Sequence, residues 1–151
     1  RSALPPHRQR RGFQRLTQMK YLLDSNTCIR YINGRAPKIR EYLQNISYKD
    51  IAVSTVTRGE MYAGSFKSQT PQQSRFQQDA FLIRFHSLPF DEAAANEFGH
   101  IRAVLEKAGT PIGPYDMQIA AIAIVHHLIL VTHNTREFVR VPGLQLEDWE
   151  I

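Results

Sequence analysis

Cysteine is almost absent from this chain. Cys28 is the only one in 151 residues, so no disulfide can close within it. No zinc-type set replaces it, because His100 and His133 lack cysteine or histidine partners at ligand spacing, and the adjacent His126 and His127 point to different sides of a helix end. There is no apolar run of the roughly eighteen residues needed to cross a bilayer, no signal-peptide apolar segment, and no repeat or low-complexity tract. These gaps exclude a disulfide scaffold, a zinc-stapled fold, a helical membrane protein and a solenoid. The chain is expected to be soluble and cytoplasmic, with Cys28 packed in a core.

With 42% hydrophobic residues, the chain is long enough to form one globular domain. Such a domain buries roughly two-thirds of its unfolded surface. Its formal charge of +5 invites a nucleic-acid reading, since basic proteins gather phosphate by counterion release. The location of the charge removes that argument. Residues 1–18 hold Arg1, Arg8, Arg10, Arg11 and Arg15 and no acid, leaving 14 basic against 14 acidic residues in the rest. The folded body is neutral, so function must be argued from a site.

Residues 1–18, with Pro5-Pro6 and little apolar periodicity, are expected to be a disordered basic arm. An expression remnant or upstream translation is the plain reading, with an RNA-binding arm as the sharper one. Residues 19–151 form the expected domain, for which Met19 is a natural start.

From there, short apolar runs alternate with longer amphipathic ones, the pattern of βα units around a largely parallel sheet. Strands are expected at 21–23, 51–54, 88–90, 128–131 and 144–146. A first helix, capped by Ser25 or Asn26, runs to about 33, and a second starts at Pro37. A third begins at Thr55 or Thr57 and breaks at Gly64 to Pro71. A fourth covers 72–85, with Phe76, Ala80, Phe81 and Ile83 to Phe85 on one face. Asp91 caps a fifth through Lys107. The run from Ile119 to Val125 is apolar all round, so its helix is expected to lie in the core or a subunit contact. Trp149 reads as a terminal plug.

Acids recur at the ends of these strands. Asp24 follows Tyr21-Leu22-Leu23, Glu60 lies on the helix after Ile51-Ala52-Val53, Asp116 opens the apolar helix, and Asn134 and Glu137 follow Ile129-Leu130-Val131. The carboxyl ends of strands are where an open α/β sheet gathers its ligand site. Each acid alone also reads as a helix cap or surface charge. Together, several acids at one edge repel unless a cation neutralises them, and Mg²⁺ and Mn²⁺ prefer such oxygen ligands. Asn26, Thr27 and Thr132 stand ready to orient a carboxylate or an attacking water.

Tyr21-Leu22-Leu23-Asp24-Ser25-Asn26, Glu60-Met61-Tyr62-Ala63-Gly64, Ile112-Gly113-Pro114-Tyr115-Asp116-Met117-Gln118-Ile119-Ala120-Ala121 and Leu130-Val131-Thr132-His133-Asn134-Thr135-Arg136-Glu137-Phe138 occur in this order. In this set the chain resembles the PIN-domain ribonucleases, specifically VapC-type toxins of type II toxin–antitoxin pairs, from about Met19 to Trp149. The resemblance implies a three-layer α/β/α fold with a mainly parallel central sheet of four to five strands. It also implies a Mg²⁺- or Mn²⁺-dependent endoribonuclease toxin, neutralised by a cognate VapB-type antitoxin, as a homodimer or toxin–antitoxin hetero-oligomer.

On that resemblance the family's metal-holding acids fall on Asp24, Glu60 and Asp116, with Glu60 completing the coordination or taking the water's proton. The frequent fourth acid falls on Asn134, a departure for which Glu137 can substitute. Asn26, Thr132 and Asn134 are supporting residues, and Arg30, Tyr115 and Arg136 are candidates for RNA contact, with Arg58, Lys67 and Tyr31 beside them. Ile32, Tyr42, Tyr62 and Phe66 are candidates for a groove receiving the antitoxin. Two rival readings remain. One is an inactive domain that only binds an antitoxin and regulates its operon. The other is a phosphohydrolase like the haloacid dehalogenases, whose opening motif Asp24-Ser25-Asn26-Thr27 partly matches.

Overall fold

The computed structural model describes residues 19–151, so the expected basic arm lies outside the described residues. The elements run β1 (Tyr21–Leu23), α1 (Ser25–Ile32), α2 (Pro37–Asn45), a 3₁₀ turn (Tyr48–Asp50), β2 (Ile51–Ser54), α3 (Thr55–Lys67) and α4 (Pro71–Leu82). They continue with β3 (His86–Leu88), α5 (Glu92–Lys107), α6 (Pro114–Val125), β4 (Ile129–Val131), α7 (Thr135–Phe138) and β5 (Gln145–Glu147). The strands form one sheet in the order β3-β2-β1-β4-β5, parallel throughout.

Alternation along the strands divides the core in two, because successive side chains leave opposite faces of a sheet. Leu22, Ala52 and Leu130 face the α5–α6 side, where they meet Ile101, Leu105 and the run from Ile119 to Ala123. Leu23, Val53 and Val131 face the other way, against Ile39 and Leu43 of α2, Met61 of α3 and Phe81 and Leu82 of α4. The result is three layers, α/β/α. Each fully buried Leu or Ile contributes roughly 1.5–3 kcal/mol, so both faces are needed to stabilise the sheet. The residues from Ile119 to Ala123 are at most 1% exposed, buried by the chain's own sheet and α5. No subunit contact is needed to cover them.

Trp149 closes the second core at 1% exposure, edge-on to Tyr21 at 5.1 Å and stacked on Tyr42 at 4.8 Å. Cys28 is fully buried, and burial pushes its thiol up, which makes it an inert core residue.

Several boundaries differ from the sequence expectations. Asp24, not Ser25 or Asn26, caps α1, and Ser54 caps α3 by accepting from the Thr57 N–H at 3.1 Å. α3 runs through Gly64 to Lys67, because Met61 and Ser65 are buried and the Ser65 hydroxyl donates to the Pro71 carbonyl at 3.1 Å. α4 ends at Leu82, and Phe76 and Ile83 are 74% and 84% exposed rather than on its buried face. β3 lies two residues earlier than expected and β5 one residue later. Pro89 has no N–H for a ladder and falls outside β3. Among the described residues no helix is long and apolar enough to cross a membrane.

Candidate active site

The chain leaves β1 toward β2 and returns from β3 to β4 on the other flank of β1, so the strand order reverses between β1 and β4. Crevices at such a reversal hold the ligands of open α/β sheets. Asp24 follows β1 there and Thr132 follows β4. The Asp24 N–H donates to the Val131 carbonyl at 3.1 Å, and Asp24 Oδ1 accepts from the Thr27 N–H at 2.8 Å. Thr132 is fully buried beside Asp24 and accepts from the Asn134 N–H at 3.0 Å. Asp24 is 4% exposed. Burial pushes its carboxyl up, the Thr132 and Thr27 side chains and the Thr27 N–H pull in the other direction, and the charge of Glu150 adds to the rise.

Glu60 reaches this edge from the second turn of α3. Ser25 Oγ donates to Glu60 Oε1 at 2.6 Å and lies 3.2 Å from Thr57 Oγ1. Ser25 has one proton, and the carboxylate is the stronger and nearer acceptor. The Thr57 hydroxyl is then free to donate to Ser25.

Asp116 occupies the first turn of α6, where the helix dipole favours a carboxylate. Its carboxyl is nevertheless pushed up from 3.8 to about 6, first by burial and then by the charges of Glu60, Asp24 and Glu137. Asp116 therefore lies within electrostatic range of the other three acids. Asn134 holds the last of them, its Nδ2 donating to Glu137 Oε2 at 3.1 Å. Among the described residues the group of ligating side chains within 4.8 Å of one another is a different one, built on His133, Asp148 and Glu150. Asp24, Glu60 and Asp116 sit at a wider, electrostatic range. Mg²⁺ usually keeps several waters and takes only one or two carboxylates directly, so this all-oxygen, mutually repelling set fits a hard divalent cation.

The remaining candidates separate clearly. Asn26 is exposed and points to no site residue by hydrogen bond, whereas Thr27 and Ser25 take the orienting roles. Arg30 is bound to Glu150, and Arg58 is spent on the carbonyls of Val53, Leu82, Phe85 and His86 at 3.4 to 3.5 Å. Tyr31 packs against Phe81 at 5.1 Å. Tyr115, 57% exposed, lines a cavity of about 590 Å³ together with Glu60, Gln118 and Lys67. Arg136 is exposed beside Glu137. Of the groove candidates, Tyr42 is stacked on Trp149 and Tyr62 lies under the Arg75 guanidinium at 3.6 Å. Phe66 is 77% exposed and shares a cavity of about 400 Å³ with Phe76 and Pro71.

A parallel sheet in this order, with acids gathered at the β1–β4 reversal, defines a class. Residues 21–144 match the sequence profile of the PIN domain, and the chain belongs to that family. Within it, the chain is similar to VapC ribonucleases. It is 40% identical over 131 residues to the tRNA(fMet)-specific endonuclease VapC of Salmonella typhimurium and 42% identical to that of Shigella flexneri, covering 87% of this chain and 98% of each relative. The DNA-bound VapBC structure from Salmonella typhimurium superposes with a TM-score of 0.83 at 40% identity, covering 87% of this chain and 98% of that one. VapBC2 from Rickettsia felis, bound to a promoter DNA fragment, gives 0.81 at 34% identity, covering 87% and 99%.

Proposed function

We propose that this chain is a Mg²⁺- or Mn²⁺-dependent endoribonuclease toxin that hydrolyses RNA phosphodiester bonds and is neutralised by a VapB-type antitoxin. The observation that carries the reading is the convergence of Asp24, Glu60 and Glu137 on Asp116 at the β1–β4 edge, where their charges and burial together raise its carboxyl. The nuclease and toxin–antitoxin names of its relatives support it, and transfer RNA is the first substrate class to try.

Asp24 and Asp116 would hold the ion, with Glu137 supporting it through Asn134. When bound, Mg²⁺ or Mn²⁺ acidifies the attacking water and neutralises charge at the scissile phosphate. The residues do the rest. The Thr27 N–H and the Val131 carbonyl fix Asp24, so little ordering remains when substrate arrives. Ser25 holds one oxygen of Glu60 and leaves Oε2 to receive the proton of the attacking water. Tyr115 can stack on an unpaired base, and Lys67 and Arg136 can meet phosphates at the rim. The exposed Phe66–Phe76 cavity suits the apolar anchors of an antitoxin segment, in a toxin–antitoxin hetero-oligomer.

The haloacid dehalogenase reading needs a second acid at position 26, where this chain has Asn26, an exposed amide with no hydrogen bond to a site residue. A purely antitoxin-binding module would not need Asn134 to hold Glu137 toward the other acids.

Incubating the full chain with total RNA plus Mg²⁺, Mn²⁺ or chelator, then mapping the cut ends, tests the proposal. Discrete ends in either metal and none with chelator are expected. Intact RNA under all three conditions would leave only the antitoxin-binding reading.

A further inference from the structure

Near the chain's end lies a second cluster of ligating side chains. His133, in the β4–α7 loop, and Asp148 and Glu150, beyond β5, each offer one atom, and these atoms lie within 4.8 Å of one another. In each carboxylate one oxygen is already held by the protein. Asp148 Oδ1 accepts from the Glu150 N–H at 2.9 Å, and Glu150 Oε1 accepts from Arg30 Nε. The other oxygens turn toward the imidazole, Asp148 Oδ2 at 2.9 Å and Glu150 Oε2 at 3.9 Å from His133 Nδ1. The Glu150 side chain is only 9% exposed, and its Oε2 is buried with no hydrogen-bond partner among the described residues. Arg30 reaches only the other oxygen, and a buried carboxylate oxygen without a hydrogen bond is costly, so Oε2 suits a further electropositive partner.

We infer that His133 Nδ1, Asp148 Oδ2 and Glu150 Oε2 form a binding site for one divalent transition-metal ion of the Zn²⁺ type. It is a separate ligand set beside the catalytic edge, close enough for the Glu150 charge to act on Asp24. Ligand bonds of about 2.0–2.2 Å place neighbouring donors of a tetrahedron roughly 3.3–3.6 Å apart. The separations of 2.9 and 3.9 Å bracket that range, and all three ligand atoms lie within 4.8 Å of one another, so side-chain rotation would close the set on an ion. One nitrogen and two oxygen donors select Zn²⁺, Co²⁺ or Ni²⁺ over Mg²⁺, which takes oxygen and dehydrates reluctantly. The His133 side chain is 60% exposed, which lets Nε2 keep its proton toward water while Nδ1 ligates and leaves room for a solvent ligand. Such an ion ties the β4–α7 loop to the C-terminal segment that carries Trp149, and Arg30 joins the clip to α1. It thereby locks the plug of the second core.

The test uses the full chain, stripped with chelator and dialysed, then titrated with Zn²⁺ by calorimetry and with Co²⁺ by visible absorption. One equivalent of Zn²⁺ is expected, with Co²⁺ bands of a low-coordinate nitrogen–oxygen site and a raised melting temperature. His133→Gln, Asp148→Asn and Glu150→Gln should each weaken Zn²⁺ by about tenfold or more. Asp116→Asn should leave Zn²⁺ affinity within about twofold. Circular dichroism of each variant separates lost ligation from lost folding, and Glu150→Gln, the mildest change in shape, decides if another variant unfolds. Absence of Zn²⁺ uptake would overturn the site in favour of a protonated His133 paired with the two carboxylates. Loss of uptake in Asp116→Asn with retention in Glu150→Gln would overturn it in favour of the catalytic acids.

Discussion

Ser25 and Glu60 stand 35 residues apart in sequence, yet the Ser25 hydroxyl meets Glu60 Oε1 at 2.6 Å. This contact joins the first turn of α1 to the second turn of α3. It fixes the one acid of the site that arrives on an otherwise solvated helix face.

Ser25→Ala is expected to lower RNA cleavage about tenfold to a hundredfold, because a hydrogen bond to a charged group is worth about 1.5–3 kcal/mol. Ser25→Thr, which keeps the hydroxyl, should recover most of it. Steady-state cleavage by the parent and both variants, with melting curves as a folding control, checks this. Equal rates for Ala and parent would place Glu60 outside the proton-accepting role.

Asp116 sets a pH signature. Its carboxyl is raised from 3.8 to about 6, so between those values the folded state binds more protons than the unfolded state, and this group's contribution to stability falls as pH rises. Below 3.8 the contribution is fully present, and above about 6 it is lost. Metal-free protein should therefore show a downward component in melting temperature across that window, and Asp116→Asn should lack it. Mn²⁺ competes with the proton, so its apparent affinity should weaken as pH drops below about 6. The same melting profile in parent and variant would contradict the assignment.

Asn134 stands at the family's frequent acid position, and its amide holds Glu137 Oε2 at 3.1 Å. Asn134→Ala should release Glu137 and raise the Mn²⁺ concentration for half-maximal cleavage by about tenfold. An unchanged metal requirement would make Glu137 an ordinary surface charge.

The strand runs and the all-apolar helix were legible because burial on both faces leaves a continuous signal: Leu22-Leu23, Ala52-Val53 and Leu130-Val131 are all fully buried. β3 was not, since His86 and Ser87 are exposed edge residues and the apolar Leu88 drew the assignment toward Pro89. Gly64 read as a break because the packing that carries α3 past it comes from α4, where Gln78 Nε2 donates to the Met61 carbonyl at 2.8 Å. At the site, acids after strands are visible in the sequence, whereas their orienting partners are not. Ser25 was missed because its acceptor lies on another helix. Arg58 read as a phosphate ligand because its carbonyl partners are up to 28 residues away. His133 was set aside for want of nitrogen or sulfur neighbours, although its partners are carboxylates flanking Trp149. The acidic pair around that tryptophan was the available signal.

The most direct test compares RNA cleavage by the parent and by Asp116→Asn, both folded by circular dichroism and both supplied with Mn²⁺. Removal of one ion-holding carboxylate should reduce the rate by at least about a hundredfold, on the scale of losing a transition-state electrostatic contact, while the melting temperature stays equal or rises. Cleavage by Asp116→Asn at the parent's rate would contradict a catalytic centre built on these acids.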